Sequence, residues 1–365
     1  MYTRCLLGLC AALLLTACGQ SAAGTPTPAA PTSAPASTVA GEATLVVMTH
    51  DSFAVSVPVI KAFEQANNVK LQILQSGDAG AALNKAILSK AAPQADVFFG
   101  VDNTFLSRAL AADLFEPYLS GALATVPGQY QLDSTNRLTP IDYGYVSLNY
   151  DKAYLAENNL AVPQSLRELT APEWKSRLVV ENPATSSPGL AFLLASVAEF
   201  GISGGYTYLD FWRDLRANDV LVTESWNDAY YTQFSGSSGR GPRPLVVSYA
   251  SSPPAEVVFS ETPLTNAPTG VVTAGSFVQV EFAGILRGTK NRELAEKFID
   301  FMLSPAFQAD VPLQMFVYPV QPDTPLPDVF SKYAGQPAEP LTLPPAEIDA
   351  NREQWIEAWT QVVLR

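Results

Sequence analysis

From Ala43 to the end of the chain, short apolar runs take turns with segments whose apolar residues recur every three or four positions. The runs have the length and β-branched content of buried strands, and the spaced segments carry the helical period. "TLVVMTH" is a strand and "SVPVIKAFEQANN" a helix. "VKLQILQS" is the next strand, and helical "AGAALNKAILSKAA" stops before Pro93. "ADVFFGV" reads as a buried strand and "TFLSRALAADLF" as a helix. Strands alternating with helices predict a parallel sheet in an α/β fold. "TPIDYGYVSLNYDKAYL" then reads as a long strand, with Tyr143 and Tyr145 on the same face.

A second α/β block follows. "RLVVEN" is a strand, and "PGLAFLLASVAEFG" is a helix with Pro188 early and Gly201 past its end. "YTYLDFWRDLRAN" is helical, "VLVTES" a strand and "WNDAYYTQF" a short helix or turn. "LVVSYASSP" returns to strand, and "GSFVQVEFAGILRG" is a strand pair or one long strand. "NRELAEKFIDFMLSPAFQADV" reads as paired helices. The chain closes on an amphipathic helix with Trp355 and Trp359 four apart on one face, a spacing that fits core packing.

The first 42 residues follow neither period. "MYTRCLLGLCAALLLTACGQ" has a positive start at Arg4 and an apolar run too short for a confident span, the layout of an export signal. Its end, Leu15-Thr16-Ala17-Cys18, resembles the lipobox of bacterial lipoproteins, which implies cleavage before Cys18 and lipidation of its thiol. The uncharged Ala/Pro/Ser/Thr-rich stretch that follows cannot bury a core and reads as a linker. The expected layout is a lipoprotein signal peptide over 1–17 and a lipidated Cys with linker over 18–42, anchoring an extracytoplasmic protein to the bacterial membrane.

Composition narrows the function. The 365 residues are 47% hydrophobic and 16% charged, a globular balance. The net charge of −13 removes a basic nucleic-acid footprint. No cysteine follows Cys18, so the folded part has neither a disulfide nor a thiol nucleophile. His50 is the one histidine, which excludes multi-histidine metal sites and H-E-x-x-H chemistry. With no P-loop and no strand–turn–helix nucleophile elbow, the chain reads as a binder, without cofactor, rather than an enzyme.

Polar and aromatic residues at strand ends are the candidate ligand contacts, because α/β sheets hold ligands there. They are His50, Asp51, Asp102, Asp142 and Tyr143, then Ser186 and Ser187 before Pro188, then Trp226 and Tyr249. Carboxylates and ring faces together suit an organic cation. Asp51 and Asp102 also have the alternative reading of helix caps, as do the serines, whose helix start could otherwise receive an anion. A rival arrangement is the adjacent pair Tyr230 and Tyr231, which resembles the tyrosine pair of periplasmic ferric-ion binders.

The motifs "THDSF", "ADVFFGVDN", "PIDYGYVSLNYDK", "NPATSSPGLAFLL", "SWNDAY", "LVVSYASSP", "YPV" and "REQWIEAW" share order and spacing with another group. From Ala43 to Arg365 the chain resembles the thiamine-binding periplasmic proteins of ABC importers. The resemblance implies a two-lobe periplasmic-binding-protein type 2 fold, with the ligand in a cleft between lobes. Lobe 1 would be 43–143 and 249–320; lobe 2 would be 144–248 and 321–365 with the C-terminal helix. The chain would cross between them near Asp142–Tyr150 and again near Ser248. The implied partners are thiamine or thiamine phosphate, an ABC permease and its ATPase, with the binding protein a monomer.

Family contacts map onto Asp51, Ser186, Trp226 and Tyr249, with the two aromatics as stacking walls. The start at Ser186 and Ser187 would receive the hydroxyethyl group or a phosphate. Four positions depart from the family pattern. His50 stands for a Tyr, "VSVPV" lacks a Trp, Ala255 replaces a Tyr, and Phe316 replaces a Trp before "YPV".

Overall fold

The structure, a computed structural model, describes residues 43–236 and 241–365. The signal, Cys18 and the linker lie outside the described residues. The chain runs β1 (Ala43–Thr49), α1 (Val57–Asn67), β2 (Val69–Gln75), α2 (Ala79–Leu88), β3 (Val97–Asp102), α3 (Leu106–Ala111) and β4 (Phe115–Glu116). It continues through β5 (Thr139–Asp151), α4 (Lys152–Glu157), β6 (Leu178–Glu181), α5 (Ser187–Phe200), α6 (Tyr208–Ala217), β7 (Leu221–Thr223) and α7 (Trp226–Asp228). Then follow β8 (Leu245–Tyr249), α8 (Pro253–Val258), β9 (Thr269–Leu286), α9 (Arg292–Met302), α10 (Pro305–Gln314), β10 (Tyr318–Pro319), α11 (Asp328–Tyr333) and α12 (Pro345–Val363).

The main sheet path is β2-β1-β3-β9-β5-β8-β6-β7. Its two ends are parallel, β2-β1-β3 and β8-β6-β7. The middle is antiparallel, because β9 pairs β3 and β5 that way and β5 pairs β8 that way. The sheet is therefore mixed, where alternation of strands and helices alone predicts a parallel one. The antiparallel middle is built on two long strands, the 18-residue β9 and the 13-residue β5. β8 pairs only β5 and β6, while β9 pairs both β5 and β3.

Each end wraps its own helices. α5 is buried on nearly every side, and its long apolar run packs against the central strands instead of showing a polar face. Pro188 enters it, and Gly201 leaves it at φ +70°, a conformation that favours glycine. In α12, Trp355 and Trp359 are core residues, and Trp359 meets the Trp212 ring edge-on at 5.6 Å. Arg352 of the same helix is buried and donates to Ser107 Oγ at 3.2 Å, tying α12 to α3. Among the described residues no helix is long and apolar enough to cross a membrane.

Candidate functional site

The ends of β1, β2 and β8, the starts of α2, α5 and α7 and Glu281 of β9 converge on one cavity of about 590 Å³. Its wall includes His50, Asp51, Asp78, Ser187, Trp226, Tyr230, Tyr231, Tyr249, Glu281 and Phe316. That volume is typical of a small-molecule site.

One wall is aromatic. Trp226 begins α7, where Ser225 caps the helix by accepting from the Asp228 N–H. The Trp226 ring stacks on Tyr230 at 5.0 Å and 20°, and meets Tyr249 at 6.2 Å and 65°. Its indole N–H donates to Ser248 Oγ at 2.9 Å, which fixes the plane of the ring. Asn149 Nδ2 donates to the Tyr249 carbonyl at 2.9 Å and holds that strand end.

The other wall is acidic. Asp51 is exposed at the end of β1, and its Oδ1 accepts from the Gly77 N–H at 2.8 Å. Asp78 caps α2, accepting from the Ala79 N–H at 2.7 Å. Its second oxygen accepts from the Trp226 N–H at 2.8 Å, so one carboxylate joins the two ends of the sheet. Burial pushes Asp78 above the usual carboxylate range, against its hydrogen bonds. Glu281 faces His50, with Oε1 3.4 Å from Nε2. Burial pushes Glu281 up, but the His50 imidazole and neighbouring Asp142 outweigh it and hold the carboxyl below its ordinary value. Burial likewise pushes His50 down, while Glu281, Asp78 and Asp51 outweigh it and raise the imidazole. Both shifts favour the charged form of each partner.

Four expected contacts stand outside the wall. Asp142 is fully buried, opposite Glu281 in the β5–β9 register, and burial with Glu281 raises it well above the carboxylate range. Tyr143 lies in an aromatic stack, 4.5 Å from Tyr130 and 5.3 Å from Tyr318. Ser186 is the N-cap residue of α5 and fully buried; Ser187, read as the cap, is the first helical residue and reaches the cavity. Asp102 accepts from the Thr104 N–H at 2.6 Å in a local turn, not as a cap of α3, whose N-cap position is Phe105, and it accepts from the Ser187 hydroxyl across the two ends.

Asp78, Glu281, Phe259 and Met315 are among the wall residues that were not anticipated. Asp78 was legible as a cap in "SGDAGAAL", just before a helical period. Glu281 was legible as the one charge in the otherwise uncharged stretch "SFVQVEFAGIL". Phe259 is 66% exposed, meets Phe316 at 5.3 Å and carries no sequence signal. Met315 likewise carries none. Phe316 sits at φ +53°, strained for a bulky residue, with its carbonyl held by the Ser251 hydroxyl at 2.5 Å. The spacing G-x-S-x-G does occur, at Gly201–Gly205, but it follows a helix in a turn and forms no nucleophile elbow.

The buried acids set the pH dependence of stability. Burial pushes Asp102 up to about 7, so the folded state holds a proton that the unfolded chain releases near pH 4. Asp142 and Glu181 are raised for the same first reason, and His50 is raised on balance. A raised folded value means stability is lost as pH rises through it. Glu281 has the opposite sign, but its window lies below about pH 4.5. The unfolding midpoint should therefore be higher at pH 5.5 than at pH 8. Asp102→Asn should shrink that difference; an undiminished difference in thermal melts would remove Asp102 from the account.

Known proteins bear on this cavity. The family described as "Bacterial extracellular solute-binding protein" matches residues 92–336. The thiamine-binding periplasmic protein of Salmonella typhimurium is 35% identical over 326 residues, covering 88% of this chain and 94% of that protein. The thiamine-binding periplasmic protein of Escherichia coli K12 is 36% identical over 328 residues, covering 88% and 94%. A solved periplasmic thiamin binding protein superposes with a TM-score of 0.76 at 32% identity, covering 88% of this chain and 96% of its own. A cavity walled by rings and carboxylates, on a fold shared along nearly the whole described length, makes this chain a member of the bacterial extracellular solute-binding proteins, the substrate-binding component of an ABC importer.

Proposed function

We propose that the cavity binds thiamine and delivers it to a permease, as a binder with no catalytic role. The carrying observation is the facing of one ring wall, Trp226 with Tyr230 and Tyr249, by Asp51, Asp78 and Glu281 in a single cavity. Thiamine is a flat thiazolium cation joined to an aminopyrimidine. A ring face over such a cation contributes about 0.5–2 kcal/mol. Asp51 at the exposed strand end and the Trp226–Tyr249 corner are its natural contacts, with Phe316 and Phe259 at the mouth. His50 sits against Glu281 and orients that carboxylate.

The ferric reading fits less well. Ferric ion needs phenolates, and burial and the Glu256 carboxylate push Tyr230 well above its ordinary value. Tyr230 already donates to Glu256 at 2.9 Å, and burial raises Tyr231 too. Among the described residues no group of three or more His, Cys, Asp or Glu could hold a metal ion.

Anchoring through a lipid on Cys18, with residues 18–42 as tether, belongs to the same reading. So do action as a monomer and docking on a permease and its ATPase. We place lobe 1 around β1–β3 and lobe 2 around β6–β8, with β5 and β9 shared. Isothermal titration of the full chain with thiamine should give tight one-site binding, and Fe(III) should give no tyrosinate colour. Colour without thiamine heat would reverse the assignment.

A further inference from the structure

The turn that follows β1 carries two residues of the cavity wall, Asp51 and Ser52, and His50 ties it twice. The His50 carbonyl accepts from the Phe53 N–H at 3.3 Å and closes the turn. The His50 Nδ1 accepts from the Ser52 N–H at 3.2 Å. A ring nitrogen that accepts carries no proton, so this geometry belongs to a neutral imidazole protonated on Nε2. Nε2 lies 3.4 Å from Glu281 Oε1, the acceptor for that proton. The Phe99 ring at 5.5 Å and the bare backbone of Gly100, where a Cβ would run into the imidazole, hold the ring in this orientation. Ser52 is in turn a bridge. Its hydroxyl donates to Asn227 Oδ1 at 3.3 Å, from the turn after β1 to α7 on the aromatic side of the cavity.

A second proton on the imidazole has only Nδ1 to go to. Two N–H groups would then face each other at the 3.2 Å contact, and the Ser52 N–H would lose its acceptor. The surroundings draw that proton in. Burial lowers His50, but Glu281 of β9, Asp78 at the start of α2 and Asp51 of the same turn outweigh it. Asp142 of β5 stands opposite Glu281. From β3 the ring meets only Phe99 and Gly100, and no lysine or arginine lines the cavity. The acids around the ring and the Ser52 N–H therefore make opposite demands on one nitrogen.

Resting on the thiamine reading of the same cavity, we propose that His50 is a positioning residue: its unprotonated Nδ1 holds Ser52 where it bridges the cavity to Asn227, and a proton on that nitrogen frees the turn and weakens the hold on the ligand. The same proton places a positive charge beside a cationic ligand, so both effects have one sign. The test is titration of the full chain with thiamine between pH 6 and pH 8.5. Affinity should fall at least about tenfold as pH drops through that range, within the ceiling of about tenfold per pH unit that one proton allows. Asp102, pushed by burial up to about 7, titrates in the same window, so variants of His50 isolate its share. His50→Asn keeps an acceptor for the N–H two residues on, the Asx-turn arrangement, and takes no proton. His50→Gln extends its amide towards Glu281 and leaves Ser52 without that acceptor. At pH 8.5 His50→Asn should bind at least about fivefold more tightly than His50→Gln, the loss of one hydrogen bond, and its pH response should be smaller than that of the unaltered chain. Ser52→Ala, at an exposed position, should weaken binding and shrink the pH response as well. Thermal melts of each variant show that it is folded. A dissociation constant of the unaltered chain that stays the same from pH 6 to pH 8.5 would overturn the proposal and leave the thiamine reading standing. Equal affinities for His50→Gln and His50→Asn would do the same, by assigning His50 to Glu281 alone. No binding of thiamine at any pH would overturn both.

Discussion

Trp226→Ala is expected to raise the dissociation constant for thiamine about a hundredfold, since a ring over a cation and an aromatic pair together are worth roughly 3 kcal/mol. The fold should survive. Trp226 is half-buried, and Ser248, which loses the indole donor, keeps Ser252 Oγ at 2.9 Å. The Asp78 contact survives as well, since it is made by the backbone N–H of residue 226. Trp226→Phe keeps a ring face without the indole N–H and should recover most of the loss. Calorimetry beside a thermal melt separates the cases. Unchanged affinity in a folded Trp226→Ala protein would remove the aromatic wall from the binding account.

The second large effect concerns closure. At Gly80, the second residue of α2, a Cβ would lie 2.8 Å from the Thr185 carbonyl oxygen and 2.9 Å from the Phe105 ring. Thr185 follows β6, at the opposite end of the sheet, and its carbonyl accepts the Ala81 N–H at 3.2 Å. Two backbones touch here, with Asp78–Trp226 and Asp102–Ser187 beside them. Gly80→Ala should prop these elements apart and cost at least tenfold in affinity, about 1.4 kcal/mol. Yet alanine is the better helix former by about 1 kcal/mol, so the ligand-free protein should melt at the same temperature or higher. A faster dissociation rate with an undiminished ligand-free midpoint is the expected pair of results. A lowered midpoint would mean that the approach belongs to the core and not to closure.

Much of this was readable in the chain. Period alone located β1 to β3, α5, α6 and α12, because each carries enough apolar residues to display its spacing. The hydrophobic pattern also marked Trp355 and Trp359 as core. It did not reveal β10, which is two residues long, or that β9 is one antiparallel strand, since pairing partners leave no local trace. The site divides the same way. Strand ends pointed to His50, Asp51, Trp226 and Tyr249, all of which line the cavity. They pointed equally to Asp142 and Tyr143, which lie outside the cavity wall, because both stand near the start of the 13-residue strand β5 and not at its end. Asp78 and Glu281 entered from a helix cap and the middle of a strand, places where a carboxylate ordinarily needs no ligand to explain it.

The pairing of β5 with β9 has a mechanical meaning. Both strands span the middle of the sheet, bonded to each other along most of their length, and their register slips between Val146 and Leu148. Opposite that slip, Gly275 sits at φ +75°, and Ser147 and Ser276 exchange a hydroxyl contact at 2.6 Å. Two ribbons laced together cannot flex independently, so any bending at the slip would turn one half about a single axis, like a leaf on a pin. A receptor touching one point on each half would then have the whole angular position reported to it. The rest of the outer surface is released from signalling and left to vary.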